Sequence, residues 1–240
     1  MDPVPLTWIA HGNSLEAMVA EAKEAAQGRG FKGLKLKTWR RSLEDVRMVA
    51  EVRAAIGKSP IIYIDGNGAY SEGEARTILP AVAQYDVSFI EEPCGFADPA
   101  RQAALAAALP IALLGDQSCR SLRDIVQLAR LNAVGAVSIK LRRTGISEAL
   151  KIVSFCEAMG LPVVIGTDSE SRIGAMARIH LRAAIPYFDP WPAETHFFQK
   201  LTDDVFAGEF CFADGCVTPT AAPGFGATID YGKLEKYRAR

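Results

Sequence analysis

In the stretch GLKLKTW, residues 33–39, Lys35 and Lys37 interrupt an otherwise apolar run. Alternate side chains of a strand share a face, so the two amines point the same way. Further along, polar residues stand at the ends of similar runs: Asp65 and Asn67, Glu91 and Glu92, Asp116, Lys140, then Asp168 and Glu170. From Lys37 to Asp168, successive members are 24 to 28 residues apart. Asp65, Glu91 and Asp116, on three successive strands, would repel one another in a partly buried mouth unless a cation held them. A hard divalent ion with oxygen ligands suits that set, and Mg²⁺, with Mn²⁺ as a substitute, leaves positions for water or substrate. Lys37 can then take a proton, with Lys35 steadying its acidity and an anionic substrate group, while Lys140 exchanges a proton from the opposite side. The chemistry this suits is removal of a proton α to a carboxylate, the metal stabilising the second negative charge as it develops. Two opposed lysines would invert a stereocentre.

Such a constellation needs a scaffold that gathers strand ends. Eight short runs, VPLTWIA, GLKLK, IIYID, VSFIE, IALLG, AVSIK, LPVVIG and the weaker IPYFD, alternate with amphipathic helical patterns. The helices open on capping pairs: Asn13 with Glu16, Ser42 with Asp45, Ser71 with Glu74 and Ser121 with Asp124. Eight strand-and-helix units in 240 residues predict an α/β fold of the (β/α)₈ barrel type, with a doubly wound open sheet as the alternative. Polar residues at one end of successive strands favour the barrel, whose chemistry collects at that mouth. The barrel is expected over residues 1–203. Residues 204–240 are expected to form a tail with a hairpin at Asp214 and Gly215. Phe206, Phe210, Phe212 and Phe225 in that tail either offer a self-association surface or pack under the barrel.

The balance of 27 basic against 28 acidic side chains argues against nucleic-acid binding, which needs a basic excess. No run is long and apolar enough to span a bilayer and no signal sequence is evident, so a soluble cytoplasmic protein is expected. The odd number of cysteines, five, without a paired spacing, reads as reduced packing thiols.

In order along the chain, GLKLK, IDGNGAYS, FIEEP, GDQS, SIKLRRTG and GTDSESRIG resemble the strand-end motifs of the enolase superfamily, specifically its muconate-lactonizing-enzyme subgroup. The resemblance covers nearly the whole chain. It implies metal ligation by Asp65, Glu91 and Asp116, acid/base roles for Lys37 and Lys140, a supporting role for Lys35, and contacts near Asn67, Asp168 and Glu170. Glu92 takes a supporting place, since the first glutamate of EEP matches the family's ligand. The family usually has Asp-Glu-Ser after strand five, whereas here Gln117 follows Asp116 and removes a charge beside the metal. Family members also look like two-domain proteins with an N-terminal cap over the mouth. This chain begins almost at strand one, so a cap is expected to be absent, and a capping domain or a second copy of the chain is the expected partner.

The expected substrate is a small-molecule carboxylate, with racemisation or epimerisation of an amino-acid-like acid as the leading reaction. A cycloisomerase or dehydratase uses the same lysines. A Schiff-base aldolase on Lys140 is disfavoured by the three carboxylates, which would keep an amine charged. A capless barrel without activity is the non-catalytic alternative. Trp39 and Trp191 either line the pocket or cover the rim, with Trp191 taken as a substrate contact. One of Arg142 and Arg143 could bind a second carboxylate. His11, after strand one, either contacts substrate or, as a lone histidine at a loop start more often does, serves the turn, and His180 and His196 have weaker claims on the site.

Overall fold

Why two lysines punctuate an apolar strand becomes plain from the parity of the strand that carries them. The computed structural model describes residues 2–38, 40–95 and 98–238. In chain order the elements are β1 (Val4–Pro5), β2 (Thr7–Ala10), α1 (Leu15–Lys23), β3 (Gly33–Lys37), α2 (Leu43–Ile56), β4 (Ile61–Asp65), α3 (Glu72–Val82), β5 (Val87–Glu91), α4 (Pro99–Ala106), β6 (Leu113–Gly115), α5 (Leu122–Arg130), β7 (Ala136–Ile139), α6 (Leu141–Met159), β8 (Val163–Ile165) and α7 (Arg172–Ala184). The tail adds β9 (Phe206–Ala207), β10 (Cys211–Ala213), β11 (Cys216–Thr218), β12 (Thr228–Ile229) and α8 (Tyr231–Lys236).

Strands β2 to β8 form one parallel sheet in sequential order, with a helix after each. Leu34 and Leu36 of β3 are wholly buried against the helices, which leaves Gly33, Lys35 and Lys37 to the barrel interior. The register sets Lys37 beside Asp65 and Asp65 beside Glu91 in one layer. Lys35 and Tyr63 are paired in the layer beneath. Tyr63, Phe89, Leu114, Ala136 and Val164 fill the interior below the mouth, as barrels require.

The eighth strand is not where the sequence suggests. In IPYFD, Pro186 lacks the N–H a ladder needs and instead begins a 3₁₀ turn at Pro186–Phe188, with Phe188 buried in the core. Residues 192–195 close the ring. Ala193 donates its N–H to Pro5 and accepts from Thr7, both at 2.9 Å, while Glu194 donates to Ile165 at 2.8 Å. A doubly wound open sheet is thereby excluded, and the chain is an α/β barrel.

Local capping follows the sequence closely. Ser71 with Glu74 and Ser121 with Asp124 form reciprocal capping boxes, and Ser42 caps α2. At α1 the cap is Ser14, one residue beyond the expected Asn13. The tail hairpin turns at Asp214 and Gly215, both at positive φ. Its strand β11 pairs with β1, so the tail lies against the chain's first strand. Phe206 is buried, and Phe210, Phe212 and Phe225 pack against the main core. No helix among the described residues is long and apolar enough to cross a membrane.

Candidate active site

Four of the strands bring polar residues into one mouth, while Glu91 and Asp168 contact that set through Lys35 and Lys140 without lining the cavity. A cavity of about 170 Å³ is lined there by Lys35, Lys37, Asp65, Asn67, Asp116 and Lys140, with His11, Thr167, Ser169, His196 and Phe197 on its remaining wall. Lys37 comes from the end of β3 and Lys140 from the residue after β7, so two amines reach one space from separate strands.

The β3 wall is dense with charge. Lys35 Nζ donates to Glu91 at 2.8 Å and to both oxygens of Glu194 at 3.0 and 2.9 Å, and lies 3.3 Å from Asp65. Burial alone would depress this ammonium, but Glu194, Glu91 and Asp65 outweigh it and hold Lys35 well above its ordinary value. It is therefore a fixed cation. Lys37 Nζ donates to Asp65 at 2.5 Å and also to Asn67. Burial would raise the pKa of Asp65, yet Lys35 and Lys37 keep it below the usual carboxylate range. Glu91 goes the other way: complete burial, then the nearby charge of Asp65, push it well up despite Lys35.

On the opposite wall, Lys140 donates to Asp116 at 2.8 Å and lies 3.6 Å from Asp168. Arg143 approaches Asp116 at 3.1 Å, and Arg142 donates to Asp168 at 3.2 Å. Gly145, at φ 63°, breaks the first turn of α6 from the rest, so both arginines ride a short turn directly after Lys140. Burial opposes ionisation of Asp168, but Arg142, Lys140 and Arg143 hold it below its ordinary value. Gly166 leaves room first for Ser138, since a Cβ there would run into its Oγ, and then for the lysine stem, at 3.0 Å from Lys140 Cε.

Among the described residues no three His, Cys, Asp or Glu side chains are grouped closely enough to hold a metal ion; lysines interleave with the acids instead. The donor set nonetheless fits a hard divalent cation. Asp65, Glu91 and Asp116 are buried carboxylates on successive strands; Glu91 Oε1 has no hydrogen-bond partner, and Asp116 Oδ1 has only the ion pair with Arg143. Crowded anions with spare oxygens are what Mg²⁺ or Mn²⁺ would hold.

Two sequence expectations need correction. Trp191 does not line the mouth: its ring rests 4.4 Å from Phe89 beside the interior cluster, because it precedes the closing segment rather than following it. Glu170 is turned to its own loop, accepting from Thr167 Oγ1 and the N–H of Asp168 and pairing with buried Arg178, so it shapes the turn. Glu92 behaves similarly, accepting from the N–H groups of Asp116 and Ser118 at 2.7 Å and so setting the loop that bears Asp116. Gln117 lines a separate groove with Glu92 and Arg120. Trp39 lies outside the described residues.

The structure adds Glu194 and Tyr63, which the sequence did not single out, and brings in two histidines it had ranked low. Glu194 is wholly buried and accepts from Lys35 and from the hydroxyl of Tyr63. Tyr63 could have been found by parity, two residues before Asp65 and in register with Lys35. Glu194 gave no strand signal, since prolines surround it. His11, whose Nδ1 lies 3.0 Å from the carbonyl of Ile9, and His196, whose ring lies 4.5 Å from Trp8, also line the mouth. Burial, then Lys200, pushes His196 down to about 3, so its imidazole is neutral.

Comparison with known proteins agrees with this geometry. The sequence profile described as "Enolase C-terminal domain-like" matches residues 17–233. A hydrophobic dipeptide epimerase of Roseobacter litoralis is 32% identical over 220 residues, covering 89% of this chain and 61% of that protein. The crystal structure of muconate lactonizing enzyme from Mycobacterium smegmatis complexed with muconolactone superposes with a TM-score of 0.94 at 26% identity, covering 100% of this chain and 66% of that one. A dipeptide epimerase from Cytophaga hutchinsonii, complexed with Mg and the dipeptide D-Ala-L-Val, shares the fold with a TM-score of 0.88 at 24% identity over 98% of this chain and 64% of that one. The chain spans about three fifths of the length of the curated relatives it matches. By its profile match over most of its length, and by the ordered strand-end residues that match predicted, the chain belongs to the enolase C-terminal domain-like family.

Proposed function

We propose that this barrel removes the proton α to the carboxylate of a small-molecule, amino-acid-like acid and returns it from the other side, as a racemase or epimerase. The observation that carries this reading is the presence of Lys37 and Lys140, from separate strands, in one small cavity beside Asp65 and Asp116. A Mg²⁺ ion, or Mn²⁺ in its place, held by Asp65, Glu91 and Asp116 would act as a Lewis acid toward the substrate carboxylate. Lys37 takes or gives a proton on one face of the reacting carbon and Lys140 does so on the other. Lys35 remains charged between Glu91 and Glu194 and orients Asp65. Asn67, which accepts from Lys37, fixes where that amine points.

A cycloisomerase is the second reading, favoured by the close superposition on muconate lactonizing enzyme. Incubation of candidate carboxylates with Mg²⁺ in deuterated water separates the two. A racemase places deuterium at the α carbon of both enantiomers, whereas ring-closed products alone overturn the first reading. Lys37→Ala and Lys140→Ala are each expected to lower inversion at least a thousandfold, and near-normal inversion by either variant refutes the two-base assignment. Because the chain matches only part of its relatives, the assay belongs both to the chain alone and to mixtures with a capping domain. Association with such a domain, or with a second copy, is the partner arrangement we propose.

A further inference from the structure

Where an eighth full helix would follow the closing segment, the chain instead makes a short turn, Phe197–Lys200, and the tail strands β9 and β10. On that flank lies a cavity of about 590 Å³, separate from the mouth. The turn divides the two, since Phe197 lines the mouth whereas Phe198 and Gln199 line the flank cavity. Its floor is aromatic. The ring centroids of Phe198 and Phe210 are 4.6 Å apart, those of Phe206 and Phe210 5.8 Å, and those of Phe198 and Phe212 5.9 Å. A flat aromatic guest can join such a cluster edge to face.

Polar groups around this floor lack partners. Both the oxygen and the nitrogen of the Gln199 amide are buried with no hydrogen-bond partner. That carries a desolvation penalty which a guest with its own amide, a donor and an acceptor together, would remove. Arg29 and Arg172 also line the cavity, and none of its lining residues is acidic. The ion pairs that arginines make among the described residues involve neither of the two. Arg29 is engaged by aromatic faces, its guanidinium 4.6 Å from the Trp8 ring and 5.4 Å from that of Phe31. Arg172 stands over the floor itself, 5.8 Å from the Phe210 ring. A guanidinium over an aromatic face still presents its edge N–H groups as a fork for a carboxylate. Both charges of the cavity are positive, so its fitting guest is an anion with an apolar body.

We propose that this flank cavity binds a small aromatic carboxylate that also carries an amide, with the ring on the four phenylalanines, the carboxylate on Arg172 and the amide on Gln199. The site is independent of the proton transfers proposed for the mouth.

4-Acetamidobenzoate is the probe, because it has all three groups and no hydrogen on the carbon next to its carboxylate, so the reaction proposed for the mouth cannot consume it. Acetanilide is the same molecule without the carboxylate. Binding of each to the full chain is measured by calorimetry with a chelator present. One 4-acetamidobenzoate per chain is expected, held about tenfold more tightly than acetanilide, as a charge-assisted contact provides. Arg172→Gln is expected to remove that advantage and Phe210→Ala to weaken both compounds, with folding checked by circular dichroism, whereas Lys37→Ala leaves the binding as it was. Absence of saturable binding, equal affinity for acetanilide, or an unchanged advantage in Arg172→Gln each overturns the site. Loss of binding in Lys37→Ala puts the probe in the mouth and overturns it too. A concentration-dependent dimer that Phe210→Ala disperses, without any probe binding, gives the face to a second copy of the chain instead.

Discussion

On the β3 wall, Lys35 is 2% exposed and touches three carboxylates, whereas on the β7 wall Lys140 meets Asp116 and Asp168 beside two arginines, one of which, Arg142, has a side chain 71% exposed. Both walls present an amine paired with a buried carboxylate to the same cavity, but only the second adds a charge that reaches into water, Arg142. Charges sealed from water interact strongly and cannot be removed singly without stranding a partner. Charges at a wet rim are screened and replaceable. The first wall is thus a rigid frame; on the second, Lys140 and Asp116 are buried as well, and only the outer Arg142 is adjustable.

The most disruptive way to break this contrast is Lys35→Met, which strands Glu91 and Glu194 without their shared cation. Breaking a buried pair of this kind is expected to cost about 3–5 kcal/mol, read as a lower midpoint in urea unfolding. A loss below about 1 kcal/mol would show that the frame tolerates its own dismantling.

A middle-sized effect comes from pH. His196 has a folded value of about 3 against 6.5 for the ordinary imidazole, so the native chain binds fewer protons than the unfolded one below neutrality. Its contribution is present above pH 6.5 and is lost as pH falls toward 3. Between pH 7 and 5 that amounts to about 2 kcal/mol, and the loss should be shallower by this amount in His196→Gln when urea midpoints are compared across the range.

The smallest effect sharpens the other side. Arg142→Ala should lower stability by less than about 1 kcal/mol, and raising salt to about 1 M should remove most of the difference. A large, salt-insensitive loss would place the β7 wall in the same class as the β3 wall.

Much of this contrast was legible in the residues themselves. The alternation Gly33, Lys35, Lys37 against Leu34, Leu36 declares which side faces inward, and single polar residues after successive apolar runs mark the mouth. The closing strand was hidden. Its ladder bonds fall at residues 192–195, amid Pro190 and Pro192, while the more strand-like IPYFD spends its proline starting a turn. Glu194, and with it the reason Lys35 stays charged, vanished along with that strand. Trp191 was misplaced for the same cause. Exact partners such as Arg178 for Glu170 depend on a helix folding back over its own loop, which spacing alone does not encode.

The bare backbone of Gly166 carries a consequence for anyone who diversifies this barrel. Adding even one methyl at that spot would drive into the Ser138 hydroxyl and crowd the Lys140 stem beside it, so a screen for new substrates should find variation there punished without the position ever meeting a ligand. Reach, in this scaffold, is set by an atom that was left out.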